Sequence, residues 1–329
     1  INKSYIGDGS PCYFTLEIGP THNGFESAKN LIINCKNSNA NAVKLQLIDP
    51  KKLIADKKYF IDYKILSKSS GKLINKQKSL FNIFKKRYLN YDEIKELKKI
   101  AKISNLDFFL TLTNEDDIDF IKELNCPSVK IASSDVNYHQ LIAKASKLKI
   151  PIQLDTGNST IQEIQEAIKV IKSQKNNNIL IHYCPTGYPA DGSLNLNYIN
   201  FLKKKFNLPI GFSDHSVENK TCHLAIMLGA NLIEKTISEN IYEKKIEHSM
   251  SIDVKDIHSY IKSLKDTESQ IYKKIVLLTK KEVSKRKKHR RSAYLQKKIF
   301  KGEKLKLEHI AFKRPGLGIE PGQINKYLG

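Results

Sequence analysis

Two hydrophobic periods alternate along this chain. Short apolar runs at residues 13–18, 42–46, 108–111, 128–131, 152–155, 179–184, 209–213 and 232–235 read as strands. Between them, apolar residues three and four apart predict helices at 25–37, 91–104, 115–124, 138–148, 161–173, 198–206, 218–228 and 254–278. The clearest is 91–104, with Ile94, Leu97, Ile100 and Ala101 on one face. Alternating strands and helices favour a parallel sheet with helices outside, and eight such units close a barrel. The expected fold class is α/β, a (β/α)8 TIM barrel over residues 1–278. An open doubly wound sheet is the alternative, but no GxGxxG follows a strand.

Two segments break the rhythm. Residues 49–78 are polar and too long for an ordinary connection, which marks a functional loop. After residue 278 the periodicity stops. A basic linker over 279–291 leads into 292–329, where Gly and Pro are dense among short apolar pairs, the pattern of a small β-rich module. About 40 residues are few for an independent core, so the module should lean on the barrel or on a second subunit.

Composition narrows the class. The 329 residues are 40% hydrophobic, which suits a folded domain. No run approaches the roughly 18 to 20 apolar residues that span a bilayer, and the amino terminus is too polar for a secretory signal. Five scattered cysteines (Cys12, Cys35, Cys126, Cys184 and Cys222) form no close CxxC pair, as expected for reduced thiols in a cytoplasmic protein. The net charge of +22 raises nucleic acid as a partner. Lysine, however, is spread over nearly every predicted helix. The one cluster, Lys285-Arg286-Lys287-Lys288-His289-Arg290-Arg291, stands without any zinc finger, RNP or helix-turn-helix pattern. A solvated linker is the favoured reading of that cluster.

In a barrel enzyme, chemistry sits at the carboxyl ends of the strands. Those ends carry Glu17, Lys44, Gln46, Thr111, Thr113, Lys130, Ser133, Ser134, Asp135, Asp155, Thr156, Thr186, Tyr188, Ser213, Asp214, His215, Glu234 and Lys235. Lys44 and Lys130 are the least expected, because each lies inside an apolar strand. A buried lysine is costly unless it meets an anion. Two lysines among hydroxyls make a pocket for a phosphate, a carboxylate or both. The alternative is that Lys44 and Lys130 pair internally, with Glu17 and Asp135.

Several short motifs in order carry a resemblance. Glu17-Ile18-Gly19, His22-Asn23-Gly24, Val43-Lys44-Leu45-Gln46, Val129-Lys130-Ile131-Ala132-Ser133, Thr156-Gly157, Tyr188-Pro189-Ala190, residues 211–216 and Glu234-Lys235 resemble the sialic acid synthase (N-acetylneuraminate synthase) family. Arg314-Pro315-Gly316-Leu317-Gly318-Ile319 resembles the antifreeze-like (SAF) module that closes those chains, here over 292–329. The resemblance implies condensation of phosphoenolpyruvate with an N-acyl hexosamine such as N-acetylmannosamine, giving a nonulosonic acid and phosphate. It implies Glu17, Lys44 and Lys130 as catalytic residues. Lys44, Ser79, Thr111, Lys130, Ser133, Thr186 and Ser213 would hold phosphoenolpyruvate. Gln46, Asp135, Tyr188, Glu247 and Arg314 would hold the sugar, with Arg314 reaching across a domain-swapped homodimer. His215 would bind a divalent metal, Mn2+ or Mg2+.

The departures from the family pattern are specific. Thr236 occupies the place of the second metal-binding histidine, and a hydroxyl is a poor ligand beside an imidazole, which puts the metal in doubt. His248 is a nearby substitute. Asp155 stands where a serine near the phosphate is usual, and its charge would repel phosphoenolpyruvate unless protonated or paired. Asp135 and Glu247 each differ by one methylene, and Thr186 replaces an asparagine. Rival readings are a synthase for another 3-deoxy-ulosonic acid, a family member kept as a binding or scaffold protein, and a nucleic-acid binder using the basic cluster.

Overall fold

Strand β1 (Tyr13–Glu17) pairs on one side with β2 (Ala42–Leu47) and on the other with β10 (Leu232–Ser238), the last long strand, so the sheet closes. An antiparallel hairpin, β3 (Phe60–Leu66) and β4 (Leu73–Ser79), interrupts the order after β2. The barrel then runs through β5 (Asp107–Leu112), β6 (Val129–Ile131), β7 (Ile152–Asp155), β8 (Ile179–Tyr183) and β9 (Ile210–Asp214), each parallel to its neighbours. The two-residue β11 (Ile252–Asp253) extends the end of β10. This is the expected eight-stranded barrel. The structure is a computed structural model, and it describes residues 1–2, 4–190, 194–271 and 278–329.

The period of two in each strand divides the core. Phe14, Leu16, Val43, Leu45, Phe108, Leu110, Val129, Ile131, Ile152 and Leu154 join one large cluster with the helices. The alternate positions Tyr13, Ala42, Phe109, Leu180 and Leu232 form a second, smaller cluster at the amino ends of their strands, plugging the barrel floor. Further along the same alternate positions come Glu17, Lys44, Thr111, Lys130, Asp155, His182, Ser213, Glu234 and Thr236, all buried and all polar.

Helices cover the outside close to where the periodicity predicts them, as at Phe25–Asn34, Tyr91–Ile103, Ile161–Ser173 and Asn197–Phe206. Two start at reciprocal capping boxes, Asn90 with Glu93 and Thr160 with Glu163, which satisfy amides that the first turn leaves open. The helix expected over 254–278 runs over Ile257–Ile271 after a short 3-10 turn, and residues 272–277 of that expectation lie outside the described residues.

The long excursion after β2 is ordered. Lys64 N donates to Tyr188 O at 2.7 Å and Ser249 Oγ donates to Lys64 O at 2.8 Å, tying the β3–β4 hairpin to the loops after β8 and β10. Tyr63, Ile65, Ile83 and Ile246 form a separate apolar cluster beneath it.

The chain divides into two units, residues 1–272 and 273–329. In the second, β12 (Ser292–Leu295) and β13 (Ile310–Lys313) pair antiparallel. Within the expected linker, Lys280–His289 forms a helix with no buried residue. Thr279 and Glu282 cap its start, and its basic last turn suits the carbonyl end of a helix. The five cysteines are free and buried. No helix among the described residues is long and apolar enough to cross a membrane.

Candidate active site

Register brings the polar side chains together. Glu17 lies opposite Lys44, Thr111 opposite Lys130, Asp155 opposite His182, and Glu234 opposite Ser213. All of these but His182 line a cavity of about 140 Å3 at the carboxyl ends of the strands. Gly211 permits this packing, because a Cβ there would lie 2.9 Å from the ring of His182.

Glu234 is the hub. Its Oε1 accepts from Lys130 Nζ at 2.6 Å and from Ser213 Oγ at 3.0 Å, and lies 3.3 Å from Lys44 Nζ. Lys130 also pairs with Asp155 Oδ2 at 2.9 Å. Lys44 pairs with Glu17 and donates to Thr111 Oγ1 at 3.0 Å. Internal pairing therefore does occur, with Glu17 for Lys44 as the alternative reading held. Lys130 takes Asp155 and Glu234 rather than Asp135.

Three carboxyls thus face two ammonium groups. Burial opposes the charge on Glu234, but Lys130 and Lys44 hold it well below the ordinary carboxylate range. Glu17 and Asp155 go the other way, raised by burial and by the charge of Glu234 against the pull of the lysines.

A second chamber of about 150 Å3 adjoins the first, sharing Gln46, Thr111, Tyr188 and Glu247. Ile48, Leu53, Ile61 and Phe84 give it an apolar side, and Asp135 and Arg87 a polar one. Burial pushes Asp135 up to about 6 and Glu247 up to about 7.

Most of the predicted site residues meet at these chambers. Glu17, Lys44, Gln46, Thr111, Lys130, Ser133, Tyr188, Ser213, His215 and Glu247 line the first, and Asp135 the second. Ser79 and Thr186 line neither. Ser79 Oγ donates to Lys57 O at 2.7 Å and caps the helix Leu80–Lys85, so its hydroxyl is engaged elsewhere. Arg314 is exposed on the second unit. Glu234 was visible at a strand end without a role, and Arg87 and His182 carried no local motif. The register of β9 with β10 and of β7 with β8 is the signal for Glu234 and His182.

The donors do not fit the expected divalent metal. His215 supplies one imidazole, with Nδ1 buried and unpartnered and Nε2 4.0 Å from Cys184 Sγ. Burial and Lys130 hold that imidazole down to about 4. Asp214 is committed to Lys235 at 2.8 Å, to Thr221 and to the amide of Ser216, and Glu234 to the two lysines. His248 bonds Asn240 O at 3.0 Å. Among the described residues no three His, Cys, Asp or Glu side chains converge as a metal site.

A match to the NeuB family spans residues 31–275. The chain belongs to the NeuB family. The expected kinship with sialic acid synthases therefore holds. The chain is 31% identical to the uncharacterized protein MJ1065 of Methanocaldococcus jannaschii, over 100% of this chain and 91% of that relative. It is 28% identical to the N,N'-diacetyllegionaminic acid synthase of Legionella pneumophila, over 98% and 91%. Among solved structures, the N-acetylneuraminic acid synthetase of Leptospira borgpetersenii superposes with a TM-score of 0.74 at 23% identity, covering 87% of this chain and 93% of that one. This last likeness speaks to the fold of the NeuB-family barrel alone.

Proposed function

We propose that this NeuB-family chain is a transferase that condenses phosphoenolpyruvate with an N-acyl hexosamine, forming a nonulosonic acid and releasing phosphate. The observation that carries the reading is the pair of buried lysines, Lys44 and Lys130, sharing Glu234 in a polar cavity beside a second chamber of mixed polarity. Two ammonium groups with the hydroxyls of Thr111, Ser133 and Ser213 suit a ligand bearing both phosphate and carboxylate. Gln46, Asp135, Tyr188 and Glu247 suit the hydroxyls and amide of a sugar.

In the reaction, C3 of phosphoenolpyruvate bonds to the aldehyde carbon of the open-chain sugar. Water adds at C2, the C2–O bond to phosphorus-bearing oxygen breaks, and phosphate leaves. Glu17, raised by burial, takes the proton of the attacking water, and the alkoxide made from the aldehyde oxygen gains one. Lys44 and Lys130 hold the charge that develops on the ligand in a site shielded from water. No step is assigned to a metal. Arg314 is assigned to the sugar of a second copy in a homodimer. A cytoplasmic setting suits the five free cysteines.

The test is phosphate release, with product mass, from phosphoenolpyruvate and a panel of N-acyl hexosamines and their phosphates, manganese supplied. Turnover with one of them, abolished by Lys130→Met, is the expected result. Silence across the panel overturns the reading.

A further inference from the structure

A small cavity adjoins the second chamber and has no part in the roles above. His22, Lys78, Lys86, Arg87 and Lys245 line it, and it shares Ile83, Arg87 and Ile246 with the chamber. Four cations thus meet at one point. The carboxyls that act on these cations are Glu243, which pairs with Lys245, Glu247, which burial pushes up to about 7, and Glu17.

One buried donor there, on His22, lacks an acceptor, and the buried Arg87 has no carboxylate within hydrogen-bond reach. Arg87 is 6% exposed, and its nearest carboxylate oxygen, Glu247 Oε1, is 4.0 Å away, beyond hydrogen-bond reach. His22 is 2% exposed, and its Nδ1 accepts the amide of Gly24 at 3.2 Å. The ring is neutral, because burial and Arg87 hold it down to about 3. Its proton therefore sits on Nε2, which is buried without a partner. Burial and the charges of Lys86, Lys245 and Arg87 also depress Lys78, as expected of cations facing one another.

We propose that Arg87, His22 and the surrounding lysines bind a phosphate monoester at the far end of the second substrate, so that the acceptor is a hexosamine phosphate. This rests on the condensation reading above. The aldehyde must reach the lysine chamber to meet phosphoenolpyruvate, so the opposite end of the six-carbon chain points to Arg87. A planar guanidinium fork and an imidazole donor match phosphate oxygens, and several cations suit a dianion better than a single carboxylate. The cavity's open space, about 20 Å3, is that of a water, so the exposed Lys86 must swing outward to admit phosphate.

The experiment is calorimetry on the full chain without phosphoenolpyruvate, titrated with N-acetylmannosamine, with its 6-phosphate and with inorganic phosphate, and in a separate titration with phosphoenolpyruvate alone. The 6-phosphate should bind at least about tenfold tighter than the free sugar, a preference that Arg87→Lys, which loses the planar fork, reduces to about threefold or less. Lys78→Ala, a change at a half-exposed position, should weaken it about fivefold. Equal binding of the two sugars, a preference unchanged in both variants, or no Arg87-dependent binding of either phosphate overturns the inference. Failure of phosphoenolpyruvate itself to bind sinks the condensation reading instead. Turnover of the free sugar as fast as its phosphate leaves that reading intact and removes only this one.

Discussion

Asp155 Oδ1 and His182 Nδ1 lie 3.9 Å apart, both buried and neither with a hydrogen-bond partner. The neighbouring bonds fix what each can be. Ser128 Oγ donates to Pro151 O at 2.9 Å and so accepts from Gln153 Nε2 at 2.9 Å. Gln153 then presents its Oε1 to His182 Nε2 at 3.0 Å, which makes Nε2 the protonated nitrogen. Burial and Lys130 keep the ring neutral, leaving Nδ1 as a bare lone pair aimed at a carboxyl. An ionised Asp155 would set two acceptors against each other. A proton on Oδ1 removes the conflict.

That proton decides how an anion enters. Lys130, Lys44 and Glu234 also face Asp155, and burial with Glu234 outweighs the lysines in raising it. A neutral Asp155 leaves two carboxylates against two ammonium groups, whereas an ionised one adds a charge that repels phosphoenolpyruvate. The sign follows: affinity for phosphoenolpyruvate falls as pH rises and Asp155 loses its proton. The KM for phosphoenolpyruvate, measured from about pH 6 to about pH 9, should climb more steeply in the wild type than in Asp155→Asn. Parallel profiles would refute the assignment.

Glu234 should matter to folding as well as turnover. Glu234→Ala leaves Lys44 and Lys130 with fewer acceptors in a water-poor interior, and the loss should be about 3 kcal/mol, read from urea unfolding by circular dichroism. Adding Lys130→Met to that variant should recover part of the stability without recovering activity. A double variant no more stable than the single one would show that the charges are not coupled.

A second imidazole tests the metal reading. Thr236 and His215 line the same cavity, and His215 Nδ1 has no partner. Thr236→His should raise affinity for Mn2+ by about tenfold or more in calorimetry, whatever it does to turnover. Unchanged affinity would mean that the two positions cannot share an ion.

Ser79 is expected to act through the helix it caps. Ser79→Ala should lower stability by about 1 kcal/mol and leave the KM for phosphoenolpyruvate unmoved, because the hydroxyl faces Lys57 O and Asn82 N. A several-fold rise in that KM at unchanged stability would return Ser79 to the binding site.

The barrel was legible because burial of a strand or helix face writes its own period into the chain. Lys44 and Lys130 stood out by the same logic, as charges in apolar runs. The hairpin at 60–79 was not legible: Ile61, Tyr63 and Ile65 alternate with polar residues along β3, but its partner β4 is mostly polar and exposed, so only half of a strand pair writes a period into the chain. The helix at Lys280–His289 was missed for a related reason: it buries nothing, and its support is capping and charge at its ends.

What the chain determined by itself is the number of barrel strands, the face each turns inward, and the presence of carboxylates, lysines and an imidazole at one end. Which of them meet was decided by barrel closure. Only the register of β7 with β8 sets Asp155 against His182, and only the register of β9 with β10 sets Ser213 beside Glu234. Arg87 and His22, 65 residues apart in number, come to one cavity because a hairpin and a short helix fold back over the barrel mouth. Local sequence carries periodicity and charge. Partnership between ionisable groups depends on distances of a few ångströms across strands, and the closed sheet alone sets those.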